Sequence, residues 1–260
     1  MRMGGGMRKN CHVYELFFLA ACCLCFFGCG LEEYYVLEAP FRIYNTPNAD
    51  TTYDNKYFDF VTNETGNSSI STSFDFLGTA VYYKIYNRYE SIGSVTSALS
   101  SANNSTEYSA AATLLRDKYK YRELGTASGT TTPLIASTGA DRRIYIRLTN
   151  YQTDPRYQAK IIVGYTGSSV AAGTWIPKRE GNRNSFDFGR TSLDPDTNKL
   201  PVEGDDDYNY SSSGFSSAYP NTYFVDMYAL SVGHDTTRTM YYSKVLHLGT
   251  VAIKAGETDN

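Results

Sequence analysis

A mainly β fold, two antiparallel sheets packed as a sandwich with a helical segment inserted between strands, is what this sequence predicts. Three observations lead there. Short segments alternate apolar and polar residues with period two: "DRRIYIRLTN" (141–150) puts Ile144, Ile146 and Leu148 on one face and Arg143, Tyr145 and Arg147 on the other. Clusters of Gly, Asn and Ser separate these segments. The chain also holds 24 tyrosines among abundant Ser, Thr and Asn, a composition suited to half-buried pleated surfaces.

The strands follow in order. "EYYVLEA" (33–39) opens the folded part and Ala39-Pro40 breaks it. In "KYFDFVT" (56–62), Tyr57, Asp59 and Val61 share one face, with Phe58 and Phe60 on the other. "TAVYYKIYN" (79–87) sets Val81, Tyr83 and Ile85 against Tyr82, Lys84 and Tyr86. Further strands are expected at 157–167, 173–177, 223–233 and 241–253. The tripeptide Phe-Asp-Phe occurs at 58–60, 74–76 and 186–188, at spacings that match no repeat period, so it reads as strand alternation.

One stretch changes period. Tyr108, Ala111, Ala112, Leu115 and Tyr119 fall at helical spacing, which predicts a helix over about 104–124. Asn104 and Glu107 stand at capping-box spacing before it and Gly125 can end it. A shorter helix fits 94–102. Residues 191–218 are polar, acidic and rich in turn formers, and are expected to form a long, exposed, mobile loop.

The N-terminal region has another character. Arg2, Arg8 and Lys9 precede an apolar run from Leu16 to Phe27, and Gly28-Cys29 follows, the order of a secretory signal peptide. The run is shorter than the roughly 20 residues a membrane-spanning helix needs. All five cysteines lie at or before Cys29. An exported thiol is a liability unless paired or modified. Phe26-Phe27-Gly28-Cys29 resembles the lipobox of bacterial lipoproteins, in which the cysteine is acylated and becomes the new N-terminus. Leu19-Ala20-Ala21-Cys22 is nearer the usual lipobox pattern but would leave only Leu16–Ala21 as the apolar core, so Cys29 is the expected lipidation site. Met1 and Met7 are alternative translation starts. The expected organisation is a signal peptide over 1–28 and one domain over 29–260, with an insertion over about 88–220.

Removing Arg2, Arg8, Lys9 and Glu15 takes the net charge from −3 to about −5. With no basic block, nucleic acid is a poor partner. Downstream of the signal there is no G-x-S-x-G elbow, phosphate loop, H-E-x-x-H or C-x-x-C. His234 is expected in an exposed hairpin loop, and His247 on the strand face opposite Leu246 and Leu248. Two histidines fall short of a zinc ligand set. Asp194, Asp196 and Asn198 place oxygens at alternate positions, a weak calcium candidate with Lys199 where a calcium loop wants Gly. No catalytic group and no cofactor is expected.

"FLGTAVYYKIYN" (76–87) resembles the third strand of fibronectin type III domains, and "TYFVDMYALSVGHDTTRTMYYSKVLHLGTV" (222–251) resembles their last hairpin. The resemblance implies a fibronectin type III or immunoglobulin-like sandwich, though the only tryptophan is Trp175. "CGLEEY", "YYKIY" and the "YSK…LG" ending are similar to poorly characterised spirochaete lipoproteins, which implies a location in the cell envelope and no assigned activity. The expectation is a lipid-anchored protein, facing the periplasm or the cell surface, that binds a protein or glycan ligand through tyrosines near the 191–218 loop. The alternatives are a structural envelope protein without a specific ligand and a glycan or peptidoglycan hydrolase.

Overall fold

In a computed structural model, the described residues are 34–50, 52–126, 133–151, 153–167, 175–179, 184–190, 196 and 198–256. Residues 1–33, with Cys22, Cys29 and the expected signal peptide, lie outside them. From Tyr35 onward the chain forms one unit.

Thirteen strands occur among the described residues: β1 Arg42–Asn45, β2 Phe58–Val61, β3 Phe74–Tyr86, β4 Arg122–Glu123, β5 Gly125–Thr126, β6 Ile135–Ala136, β7 Arg143–Arg147, β8 Lys160–Val163, β9 Pro177–Lys178, β10 Tyr208–Asn209, β11 Thr222–Asp235, β12 Met240–Tyr242 and β13 Leu246–Lys254. The helices are α1 Glu64–Asn67, α2 Glu90–Asn103 and α3 Ala110–Thr113, the last running into a π turn at Leu114–Lys118. The protein is mainly β, with open, predominantly antiparallel sheets.

Two sheets organise the fold. The smaller has the order β1-β2-β7-β8. The larger is built on β11, which pairs with β3 on one side and with β12 and β13 on the other, while β10 joins the far edge of β3 in parallel. The two sheets bury a shared core. Phe58, Phe60, Ile144, Ile146 and Ile161 face it from the smaller sheet, and Val81, Tyr83, Ile85, Val225 and Met227 from the larger. Each such side chain contributes roughly 1.5–3 kcal/mol on burial.

Helices cover the opposite face of the larger sheet. Ile92, Val95 and Leu99 of α2, Ala111 and Ala112 of α3, and Leu115 pack on Ala80, Tyr82, Tyr86, Phe224, Tyr228 and Leu230. The layers are therefore helix, large sheet, small sheet, which explains why β11 is buried on both faces from Thr222 to His234. The outer face of the smaller sheet is where the candidate site lies.

Several expectations are corrected here. The long helix is Glu90–Asn103, and Asn104 sits at its C-terminal end without capping a helix at 104–124. The reason is the stripe of Ile92, Val95 and Leu99, whose burial outweighs a polar capping pattern. The second helical piece ends where Lys120 turns left-handed at φ 55°, and Gly125 is already in β5. Residues 88–220, expected as an insertion, supply β7 and β8 and so half of the smaller sheet. The described part of the acidic loop is docked: Asp207 is buried, and Asp205 and Asp207 each meet the Arg179 guanidinium at 2.8 Å. His234 is buried within β11, its Nδ1 donating to the Asp235 carbonyl at 2.9 Å and its Nε2 accepting from Arg238 at 2.8 Å.

Gly78 is required by close approach. It has φ 138°, and a Cβ there would stand 2.1 Å from the Ile135 carbonyl oxygen, because β6 lies directly against β3.

Candidate ligand-binding cleft

The alternation that drives Ile144 and Ile146 into the core drives Arg143, Tyr145 and Arg147 outward. The same rule on β2 and β8 turns out Asp59, Lys160 and Ile162. Register then determines the neighbours. Tyr145 lies opposite Asp59 on one side and Ile162 on the other, and Arg147 lies opposite Lys160. Like charges directly opposite in an antiparallel pair are destabilising. Here both are also buried, Arg147 at 2% and Lys160 at 6% exposure.

The surroundings hold this pair without neutralising it. Arg147 Nε donates to the Tyr145 hydroxyl at 2.9 Å, Nη1 to the Tyr53 carbonyl at 2.6 Å and Nη2 to the Asp54 carbonyl at 2.9 Å. Lys160 Nζ donates to the Pro155 carbonyl at 2.6 Å. Asp59, the nearest carboxylate on the sheet, is taken by Arg143 in a two-pronged pair at 2.8 and 2.5 Å. Asp154 is taken by Arg156 at 2.8 Å. Among the described residues neither Arg147 nor Lys160 has a carboxylate within ion-pair distance.

Aromatic rings take the place of counter-ions. The Arg147 guanidinium lies 5.4 Å from the Tyr57 ring centre, 5.5 Å from Tyr157 and 5.7 Å from Tyr151. Tyr57 and Tyr145 stack at 4.8 Å, and Tyr165 follows at 4.9 Å from Tyr145. Two short turns deliver the remaining groups. Tyr53–Asn55 brings the two carbonyls, and Pro155–Tyr157 begins at an Asp154 cap with Pro in its first turn.

These residues enclose a cavity of about 300 Å³, lined by Asp54, Tyr57, Tyr145, Arg147, Arg156, Tyr157, Lys160, Ile162, Tyr165 and Gly167. Burial, and then the Arg147 charge, push the Lys160 ammonium below its usual range. Burial raises the Tyr57 and Tyr145 hydroxyls. The Tyr157 hydroxyl is raised by its hydrogen bond to Asp54. An open, aromatic cleft lined by three cations, of which Arg156 is paired with Asp154, can receive an anion and stack a ring.

The residues singled out in the sequence lie elsewhere. Cys29, Cys22 and Asp194 are outside the described residues. Asp196 is exposed. Asn198 is buried, its amide donating to the Arg190 carbonyl at 2.6 Å and its oxygen accepting from Ser185. Among the described residues no group of three or more His, Cys, Asp and Glu could hold a metal ion. His247 meets the buried Asp226 at 2.7 Å, and Asp226 also accepts from Tyr121 at 2.7 Å and Thr250 at 2.8 Å. Tyrosines cluster on the smaller sheet, and Tyr208, Tyr210 and Tyr223 form a second group within and beside residues 191–218. Arg143, Tyr145 and Arg147 were readable as one strand face, but Lys160 as the partner of Arg147 depends on a register that no local pattern specifies.

Trp175 bridges Ile161 on the β8 side and is 41% exposed, so it does not serve as the buried tryptophan of an immunoglobulin-like core. Among the described residues no helix is long and apolar enough to cross a membrane. Comparison with protein-family models, with curated proteins and with solved structures finds no match for this chain.

Proposed function

We propose that this protein is a lipid-anchored binding module of the bacterial cell envelope, tethered at Cys29, and that its ligand site is the cleft on the outer face of the smaller sheet. One observation carries the site: Arg147 and Lys160 face each other, buried, without a carboxylate partner, beneath tyrosines that leave the cleft open. Positions that break a stability rule without local compensation are expected to be functional. Asp54 is the one carboxylate lining the cleft among the described residues, whereas glycoside hydrolysis uses a pair, which favours binding over hydrolysis there.

A fibronectin type III-like relationship belongs to the same proposal. The neighbour order β3-β11-β13 corresponds to strands C, F and G of such sandwiches, and β1-β2-β7 to A, B and E. The fourth strand of the smaller sheet, β8, follows β7 in the chain where a D strand would precede it. The acylated cysteine would supply the two or three chains that stable anchoring requires.

Two measurements test the reading. Metabolic labelling with a clickable palmitate should mark the native chain and not Cys29→Ser, with Cys22→Ser still labelled. Loss of label only in Cys22→Ser would move the anchor, and an unlabelled native chain would remove it. Display of the purified protein on arrays of glycans and peptides should give binding that Tyr165→Ala diminishes. Binding indifferent to Tyr165, or absent, contradicts the cleft as the site.

A further inference from the structure

The geometry points to an acidic sugar, a ring carrying a carboxylate such as a hexuronate unit, as the ligand class of the Arg147–Lys160 cleft. This inference rests on the cleft being the binding site. Four features of the cleft select that chemistry.

The first is unspent donor capacity around two buried positive charges. A guanidinium has five N–H donors and an ammonium three. Arg147 directs donors to three acceptors and Lys160 to one. Two N–H groups of each therefore remain for a ligand. A carboxylate accepting from both residues would place a negative charge between cations that face each other in register.

The second is the anchoring of Arg147 itself. Two backbone carbonyls and one phenol hold three sides of its planar fork. A fixed planar fork suits a planar, two-oxygen acceptor, which a point-charge lysine would not select.

The third is the polar dress of the aromatic walls. Tyr57 stacks on Tyr145, Tyr165 lies tilted beside Tyr145, all three carry hydroxyls, and Asp54 adds a carboxylate acceptor. Ring faces with scattered hydroxyls match a polyol, whose C–H faces stack and whose hydroxyls hydrogen-bond. An acyl chain would leave the remaining N–H donors of Arg147 and Lys160 without an acceptor, at the desolvation cost of each.

The fourth is size. A cavity of about 300 Å³ is at the lower end of small-molecule sites, which suits a ring-sized unit and not a polymer groove. A free monosaccharide and the end of an acidic glycan present the same group, and a long acidic oligosaccharide added beside the monosaccharide separates them.

Calorimetric titration of the full-length protein in detergent, with glucuronate and galacturonate, their neutral counterparts glucose and galactose, and inorganic phosphate, tests the assignment. The expected result is uronate binding that exceeds neutral-sugar binding by about tenfold or more and weakens by about tenfold in Lys160→Met. Arg147→Lys, which keeps the charge and loses the fork, should weaken uronate by a similar factor. Thermal unfolding of each variant confirms that it is folded. Tighter binding of the oligosaccharide than of the monosaccharide indicates a glycan end, and equal binding a free sugar acid; both uphold the acidic class. Neutral sugars binding as well as uronates, with Tyr165→Ala reducing both, would overturn the acidic class and leave the cleft as a site. Phosphate or a single-stranded oligonucleotide binding in preference would overturn the sugar. Uronates binding native protein, Lys160→Met and Tyr165→Ala alike would overturn the cleft and the inference together, and no uronate binding at all would overturn the inference.

Discussion

Arg147 and Lys160 occupy directly opposed positions on β7 and β8, two buried cations in register whose hydrogen bonds go to backbone carbonyls and the Tyr145 hydroxyl and not to a carboxylate. An antiparallel pair gains from opposite charges at such positions and loses from like ones. The arrangement is therefore a cost to the free protein that a bound anion would relieve. Replacing one of the two cations by an apolar residue of similar length should stabilise the free protein. Lys160→Met is expected to raise stability by about 1 kcal/mol, or about 2–4 °C in Tm for a domain of this size. Differential scanning calorimetry checks it, and a Tm lowered by several degrees would show that Lys160 supports the fold.

The same pair has a pH signature. Lys160 is depressed by burial and then by Arg147, so between its folded value and the ordinary value near 10.5 the unfolded chain binds more protons than the folded one. The penalty is fully present below the folded value and is relieved as pH rises through it. In native protein stability should gain relative to Lys160→Met as pH rises from neutrality toward about pH 10, and urea unfolding of the two proteins at several pH values reads the difference.

Above that range the tyrosines dominate with the opposite sign. Burial pushes the hydroxyls of Tyr82, Tyr86, Tyr121 and Tyr228 well up from their usual value near 10. The unfolded chain ionises near pH 10 while the folded one stays protonated. The stability these groups contribute is fully present below pH 10 and lost as pH rises toward their folded values, at about 1.4 kcal/mol per pH unit for each group. Phenolate absorbance should show these four titrating only with unfolding. Reversible titration of every tyrosine near pH 10, with the fold intact, would contradict the burial.

Glu64 is a third electrostatic centre, and a structural one. Its carboxylate accepts from the backbone of Thr138 at 2.6 Å and of Gly139 at 3.0 Å, and pairs with Arg142 at 2.6 Å. Burial acts to raise its pKa, but the Thr138 and Arg142 hydrogen bonds outweigh it and hold the group below the usual carboxylate range. Its contribution is present above about pH 4.5 and lost as pH falls through the lowered folded value. Glu64→Gln should cost about 3 kcal/mol, read by urea unfolding at pH 7, because it leaves Arg142 partly buried without its partner.

Gly78 gives a purely steric prediction. Gly78→Ala must move either β6 or the start of β3, since the added methyl meets the Ile135 carbonyl. A loss of about 3 kcal/mol is expected in chemical denaturation, against a gain of about 0.5–1 kcal/mol for Gly93→Ala, which sits inside a helix with open space at its Cβ.

How much of this was legible in the sequence depends on the range of the interaction. Period two in "DRRIYIRLTN", "KYFDFVT" and "TAVYYKIYN" specified strands and their core faces, because alternation is local. The helix fitted to 94–102 begins four residues earlier, at Glu90, because Ile92 gains its meaning only from the sheet that it covers with Val95 and Leu99. His234 looked like a loop residue because β11 extends to Asp235, further than a typical strand. Asp205 and Asp207 read as solvated charges, since nothing local ties them to Arg179. The cleft needed a cross-strand register and two turns, so half its residues were visible as a face and their convergence was not.

The most direct measurement is the ionisation of Lys160 itself, followed by ¹³C NMR at its ε-methylene in the full-length protein, with and without glucuronate. Its value in the free protein should lie below the ordinary 10.5 and move upward when the sugar acid binds and supplies the missing negative charge. A lysine titrating at its ordinary value, unmoved by saturating glucuronate, would contradict the cleft as a site built to take an anion.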